Sequence, residues 1–298
     1  MKLSADNLKL IVRTPNWLGD LVMSIPALSM LAQKFPEMSF WSHHSVSGLI
    51  PVFFPENRVY TAGRLKHHEY TRLLLMTDSF RSALQGFLSG IPERIGYRTD
   101  MRSILLTTGI EAPSDRSHHH SSDYVNLALA AGASDNADIP LPSVIQSGKP
   151  HIAYFSGAEY GSAKKWIHFP ELALRLSEIT GLPSVFYGSS GEGRELIELT
   201  EGLQRSEIRT DLTLPELASN LLSAVLAVGN DSGGVHVSAV LGIPTVTVFG
   251  STSPVWTAPS GKLTETVKSN RSCSPCFKRT CPDGFPECMT DIPTENVL

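Results

Sequence analysis

Charge is scarce in this chain. Acidic and basic residues make up only 18% of it, and 25 Lys and Arg against 29 Asp and Glu leave a formal charge of −4. Without a basic excess it is a poor general binder of nucleic acid, whose phosphates call for clustered Lys and Arg. Long apolar runs are missing as well. No stretch approaches the ~20 apolar residues needed to span a bilayer, and Met1–Asn7 leads into a short apolar run with no secretory h-region. A cytoplasmic protein is expected, touching a membrane at most from its inner surface. Cysteine is limited to four residues, and a reducing compartment argues against stable disulfides among them.

The hydrophobic content of 41% is that of an ordinary soluble globular protein. At ~100–200 residues per domain, 298 residues suggest two domains, each able to bury its own core. Pro140-Leu141-Pro142 and Gln146-Ser147-Gly148-Lys149-Pro150 discourage regular structure, so domains of 1–145 and 146–298 are expected. In the first, Leu8–Val12 reads as a strand, followed by Arg13-Thr14-Pro15-Asn16-Trp17-Leu18-Gly19-Asp20. Leu21, Val22, Ile25, Leu28 and Leu31 then recur at helical spacing. Pro26 is expected in an early turn of that helix or at a kink. Further strands are expected at 40–41 and 73–76, and a helix at 122–131. The second half restarts the pattern, with strands at 152–155, 184–187, 225–228 and 245–249. One helical face carries Trp166, Phe169, Leu172, Ala173, Leu176 and Ile179, and Thr213 with Glu216 forms a capping-box pattern. Strands alternating with helices predict α/β domains with parallel sheets, whose ligands sit at the strand carboxyl ends.

Several segments carry chemistry. After the strand ending at Val228, Asn230-Asp231-Ser232-Gly233-Gly234 allows a tight turn and close backbone approach, and the helix that follows aims its positive end at the same place. A nucleotide diphosphate needs such a cradle, although a plain strand-to-helix turn capped by Asp231 or Ser232 reads the same way. Leu241-Gly242-Ile243-Pro244 and Gly250-Ser251-Thr252-Ser253-Pro254 supply a second loop at the same sheet edge. Lysines in Ser156–Trp166 can neutralise a diphosphate or stand as exposed loop cations.

Cys273, Cys276, Cys281 and Cys288 fall within sixteen residues among Pro275, Pro282 and Gly284. Four thiols so spaced suit a structural zinc, or pack a loop as free thiols. His118-His119-His120 points in different directions with no nearby Asp or Cys set, and is expected to be a polar loop. From Arg58 to Arg102, eight Lys or Arg stand against four Asp or Glu. That excess is either a solvated basic face or a docking surface for an anionic partner.

The 230–234 loop, the Gly-Ser-Thr-Ser-Pro segment with Trp256 and Thr257, and the segment Cys273–Cys281 together resemble the family-9 glycosyltransferases, the ADP-heptose:lipopolysaccharide heptosyltransferases, most nearly their heptosyltransferase II branch. The resemblance covers most of 152–298 and the first ~40 residues and is weak between them. It implies two Rossmann-like domains facing a cleft, the GT-B architecture, with an acceptor-side first domain and a nucleotide-sugar-binding second one. The implied reaction transfers heptose with inversion from ADP-heptose to the inner core of lipopolysaccharide at the membrane surface.

The resemblance also implies site residues. Asp231, Ser232, Gly233, Gly234 and His236 fall in the donor loop. Asp231 is expected to orient the loop or bond the sugar rather than phosphate, while His236 is either a phosphate ligand or a buried partner. Lys164 matches the family's diphosphate lysine, with Lys165 one residue away, and Glu192 is the acid expected at the ribose. Asp20 takes the general base position, the alternative being a helix N-cap or first-turn acid. His118 is a marginal acceptor contact, and the acceptor-binding residues are otherwise unknown. No Asp-x-Asp pair stands at a strand end, so no cofactor is expected for the chemistry, and the leaving charge falls to Lys164 and backbone donors. A monomer is expected.

The chain stops where Thr294–Leu298 starts a helix and the family normally continues, and the first domain reads short, leaving acceptor identity and full activity open. A sugar-nucleotide epimerase or hydrolase, or a transferase using another nucleotide-sugar, would need the same loop. A non-catalytic binding protein would not need Asp20.

Overall fold

The computed structural model describes residues 8–61, 69–134, 137–158 and 161–298. The chain divides into two compact units, Met1–Ser143 and Val144–Leu298. In the first, the described residues build a six-stranded sheet from β1 (Leu10–Arg13), β2 (Ser39–Trp41), β3 (Val59–Tyr60), β4 (Arg72–Leu75), β5 (Glu93–Tyr97) and β6 (Thr108–Ile110), in the order β3-β2-β1-β4-β5-β6. The second unit contributes β7 (His151–Phe155), β8 (Ser184–Tyr187), β9 (Ser206–Arg209), β10 (Ala224–Asn230), β11 (Thr245–Phe249) and β12 (Thr264–Lys268), in the order β9-β8-β7-β10-β11-β12. The two windings are the same, and their pairings are parallel.

Parallel strands require crossovers, which place helices on both faces of a sheet, so central strands must be apolar throughout. Leu10, Ile11 and Val12 of β1 and all five residues of β7 are buried accordingly. Outer strands relax this demand: Thr264-Glu265-Thr266-Val267-Lys268 of β12 has no buried residue. The second core gathers Tyr154, Trp166, Phe169, Leu172, Phe186, Val228 and Val248. Tyr154 stacks on Phe186, with ring centroids 4.7 Å apart.

Three expectations are corrected. Pro26 lies in the interior of helix Leu18–Lys34 rather than in an early turn. Trp166 precedes helix Phe169–Thr180 instead of lying on it, although it is 2% exposed. Its ring is held in the core by Nε1 donating to the Ile292 carbonyl at 2.8 Å, and its main-chain N–H donates to Asn230 Oδ1 at 3.1 Å. Ile179, near the carboxyl end of the same helix, is 68% exposed, because the apolar face is complete at Leu176. The Thr213–Glu216 capping box forms and opens helix Leu214–Leu221. Thr294–Asn296 forms a single 3-10 turn.

Candidate active site

Each strand order reverses beside the unit's first strand, between β1 and β4 and between β7 and β10. Loops leaving the carboxyl ends of strands part at such a point and open a crevice, where open α/β sheets bind ligands. In the second unit the loops from β7 and β10 carry Lys164 and Asp231. Glu159 and Tyr160 of the first of these loops lie outside the described residues.

The β10 loop is built on close packing. Gly234 lies against the Phe155 ring, where a Cβ would come within 2.0 Å of Cδ1, and a Cβ on Gly229 would meet Val235 and Phe155 at 2.6 and 2.7 Å. Glycine at both positions lets the helix start at 233 close against β7. Ser232 is the N-cap residue of helix Gly233–Val240 without a side-chain cap, so the first N–H groups are left to other partners. Asn230 is fully buried and clamps the neighbouring loop, donating from Nδ2 to the Ser156 carbonyl at 2.6 Å.

Asp231 is 5% exposed and strongly engaged. Lys164 Nζ donates to its Oδ2 at 2.6 Å and to its carbonyl at 3.0 Å, and the hydroxyls of Thr252 and Thr257 donate to Oδ2 at 2.7 and 3.3 Å. His236 Nε2 stands 3.8 Å from Oδ1, an electrostatic rather than a hydrogen-bonding distance. Burial raises the pKa of Asp231, but His236 and Lys164 together outweigh it and bring the carboxyl down to about 2. His236 is 3% exposed, and its Nδ1 has no hydrogen-bond partner among the described residues. Thr252 and Thr257 were given no role above. The signal available for them was two hydroxyls in a loop at the same sheet edge as an acid.

Lys165 points elsewhere, to Glu195 at 2.6 Å. Glu192 closes a capping box on Ser189, accepting from its N–H at 2.7 Å and its hydroxyl at 2.8 Å. The Glu192 carboxylate also lies against Gly157, where a Cβ would come within 1.8 Å of Oε1. This places Glu192 beside the β7 loop.

In the first unit, Asp20 is a half-buried acid in the first turn of helix Leu18–Lys34, just past β1. The loop before it is tied down by Arg13, which is buried and stacked over Trp41 at 5.0 Å. Arg13 donates to the Thr14 carbonyl at 2.9 Å and to Asn16 Oδ1 at 2.6 Å. Burial lowers the Arg13 pKa to about 10.

One further expectation is corrected here. The histidine triplet does have an acid: His118 Nε2 and His120 Nδ1 engage the two oxygens of buried Asp123 at 2.7 and 2.8 Å, and His120 Nε2 meets the Tyr124 hydroxyl at 3.1 Å. One turn of helix Ser121–Ala130 brings the carboxylate back to the residues preceding it. In the Arg58–Arg102 stretch, part of the positive charge is taken up within the unit, while Arg58, Arg81 and Arg98 stay exposed. Arg72 pairs with Glu93 and Arg98 with Glu111, each at 2.7 Å, and Arg94 donates to the Leu105 carbonyl at 2.7 Å. Arg102 is fully buried, bonded to the carbonyls of Tyr97 and Thr77. Arg64 and Lys66 lie outside the described residues.

The four cysteines are free. Burial first, then Cys273, Cys276 and Cys281, raise the Cys288 pKa, which places those three thiols within electrostatic reach of Cys288. Among the described residues, no three His, Cys, Asp or Glu side chains converge as a metal-binding set as they stand. No helix among them is long and apolar enough to cross a membrane.

Comparison with known proteins shows the family of this chain. The sequence pattern of glycosyltransferase family 9 (heptosyltransferase) matches residues 59–285. Lipopolysaccharide heptosyltransferase 2 of Escherichia coli K12 is 26% identical over 337 aligned positions, covering 98% of this chain and 97% of the relative. Lipooligosaccharide heptosyltransferase 2 of Campylobacter jejuni is 27% identical over 319, covering 98% and 96%. The aligned positions outnumber the chain's 298 residues, so these relatives carry residues inside the aligned span that this chain lacks. The fold is shared with the structure of E. coli ADP-heptose lipopolysaccharide heptosyltransferase II, with a TM-score of 0.83 at 24% identity over 97% of this chain and 96% of that one. The matched pattern spans well over half of the sequence, and the chain belongs to glycosyltransferase family 9.

Proposed function

We propose that this protein transfers heptose from ADP-heptose to the inner core of lipopolysaccharide with inversion at the anomeric carbon. The observation that carries the donor half is the arrangement at Asp231, a buried carboxylate bound by Lys164 and Thr252 at the start of a glycine-led helix. Asp231 orients the loop. The N–H groups opening at Ser232, Gly233 and Gly234 and the ammonium of Lys164 meet the diphosphate, with His236 behind them and Glu192 on the ribose side. Residues 146–298 bind the donor and residues 1–145 the acceptor.

In the reaction, an acceptor hydroxyl attacks the anomeric carbon on the face opposite the diphosphate. The bond from that carbon to the phosphate oxygen breaks, its electron pair leaves with ADP, and the hydroxyl proton passes to Asp20. Lys164 and the backbone donors stabilise the charge that builds on ADP, and no cofactor enters the scheme. The protein works as a cytoplasmic monomer, peripheral on the inner face of the membrane.

Incubation with ADP-heptose and heptose-acceptor lipopolysaccharide tests this reading through ADP release. Release is expected to depend on acceptor and to match heptose incorporated. Equal release without acceptor would overturn the transferase in favour of a hydrolase or epimerase.

We also propose that the 273–288 lobe takes a structural zinc. Four cysteines fall within sixteen residues, three of them partly buried, with the other three acting electrostatically on Cys288, and a divalent cation would relieve that repulsion. Elemental analysis of reduced protein is expected to find one zinc per chain, lost in Cys288→Ser. Metal-free wild-type protein that takes up no added zinc would end this assignment.

A further inference from the structure

The segment between β12 and the turn at Glu287 has an unusual status. No residue from 270 to 287 is buried, so hydrophobic packing does not hold it in place. Apart from the Arg271 pairs with Asp291 and Glu287, hydrogen bonds from its 274–279 stretch land on the two loops that converge on Asp231. Cys276 and Phe277 both donate their main-chain N–H to the Ser251 carbonyl, at 3.1 and 2.7 Å, and Ser274 Oγ donates to the Gly250 carbonyl at 2.6 Å. On the other side the Arg279 carbonyl accepts the Ala163 N–H at 3.1 Å. Residues 250–251 lead directly to Thr252, and Ala163 directly precedes Lys164.

The backbone accepts strain to make these contacts. Phe277 sits at φ 56°, a left-handed conformation that strains a side-chain-bearing residue, and its N–H reaches Ser251. Gly161 comes so close to the segment that a Cβ would stand 2.2 Å from the Arg279 carbonyl oxygen. A surface excursion with no buried residue, a strained turn and contacts on two separate loops is organised around those loops.

We propose that residues 274–279 are a positioning element of the donor site, holding Thr252 and Lys164 in register on Asp231 and thereby setting affinity for a nucleoside diphosphate. The inference rests on the donor-site reading above and assigns it a part that touches no substrate. It does not depend on a metal in the cysteine lobe, because the contacts are made by the main chain and the Ser274 hydroxyl.

The test is titration calorimetry with ADP on the full chain, alongside thermal unfolding and donor kinetics. Ser274→Ala removes one hydrogen bond, worth ~0.5–1.5 kcal/mol, so ADP affinity is expected to fall roughly 2- to 12-fold. The unfolding midpoint should stay within about 2 °C, donor KM should rise with kcat nearly unchanged, and Ser274→Thr should restore affinity. Gly161→Ala, a substitution outside the segment that pushes the Arg279 carbonyl away, is expected to weaken ADP at least as much. Wild-type affinity in both Ser274→Ala and Gly161→Ala would overturn the positioning role and leave the donor site standing. Failure of the wild-type chain to bind ADP would overturn both.

Discussion

Asp20→Asn is expected to lower the rate of heptose transfer at saturating donor and acceptor by about 10²- to 10⁴-fold, the range over which a positioned general base acts, while ADP binding stays at the wild-type level. Asparagine keeps the size and the hydrogen-bonding reach of the side chain but cannot take a proton. The competing role is also definite: Asp20 lies in the first turn of helix Leu18–Lys34, where a negative charge stabilises the helix by ~0.3–1 kcal/mol. If that were its whole contribution, Asp20→Asn would lower the unfolding midpoint slightly and leave kcat unchanged. Single-turnover transfer and thermal unfolding on the same preparation separate the two. A kcat within threefold of wild type would remove Asp20 from the mechanism.

Lys164→Met is expected to cost roughly 3–5 kcal/mol of stability near neutral pH, because it leaves Asp231 buried without its cation. The predicted effect depends on pH. Burial works to raise the Asp231 pKa, but His236 and Lys164 hold it near 2 in the folded chain, below the ordinary 3.8. A carboxyl lowered on folding stabilises the fold at pH values above its unfolded pKa, and that contribution is lost as pH falls through the folded pKa. The wild-type advantage from this group is therefore full above about pH 4 and fades toward pH 2, by an amount on the order of 2 kcal/mol. Denaturant titrations of wild type and Lys164→Met at pH 7, 5, 4 and 3 should show a gap that is constant at the upper values and narrows at the lowest. A gap below 1 kcal/mol at pH 7, or one that widens in acid, would contradict the buried pair. Donor turnover should fall in the same variant, since the cation beside the diphosphate is lost with it.

The readable parts of this chain were those whose physics is local. Apolar runs at 152–155, 184–187 and 245–249 identify strands covered on both faces, and the Thr213–Glu216 box announces a helix through bonds three residues apart. Glycines at 229 and 234 mark the turn after β10. Several of the misreadings share a cause, partners far away in sequence. Trp166 fits a helical face by spacing, yet bonds to Asn230 and Ile292 hold it before the helix begins. Counting arginines between 58 and 102 measures charge but not the carbonyls and carboxylates that absorb part of it, such as those around Arg102. The hydroxyls of Thr252 and Thr257 gain meaning only once β11 lies beside β10 and brings them to Asp231. The His118–Asp123–His120 contact lay within reach of a sequence argument, because the start of a helix folds a residue three to five positions ahead back onto the segment before it.

The all-parallel winding also bears on how the protein survives at high concentration. An open sheet ends in two strands with unpaired backbone groups, and each such strand invites pairing with another molecule. Here the four outermost strands are poor templates. β3 has two residues and β6 three, including Gly109, while β9 is Ser-Glu-Ile-Arg and β12 is Thr-Glu-Thr-Val-Lys. Brevity guards the margins of one unit and alternating charge those of the other. Solubility is thus protected at the rims of the sheets, leaving the strand ends free to carry chemistry.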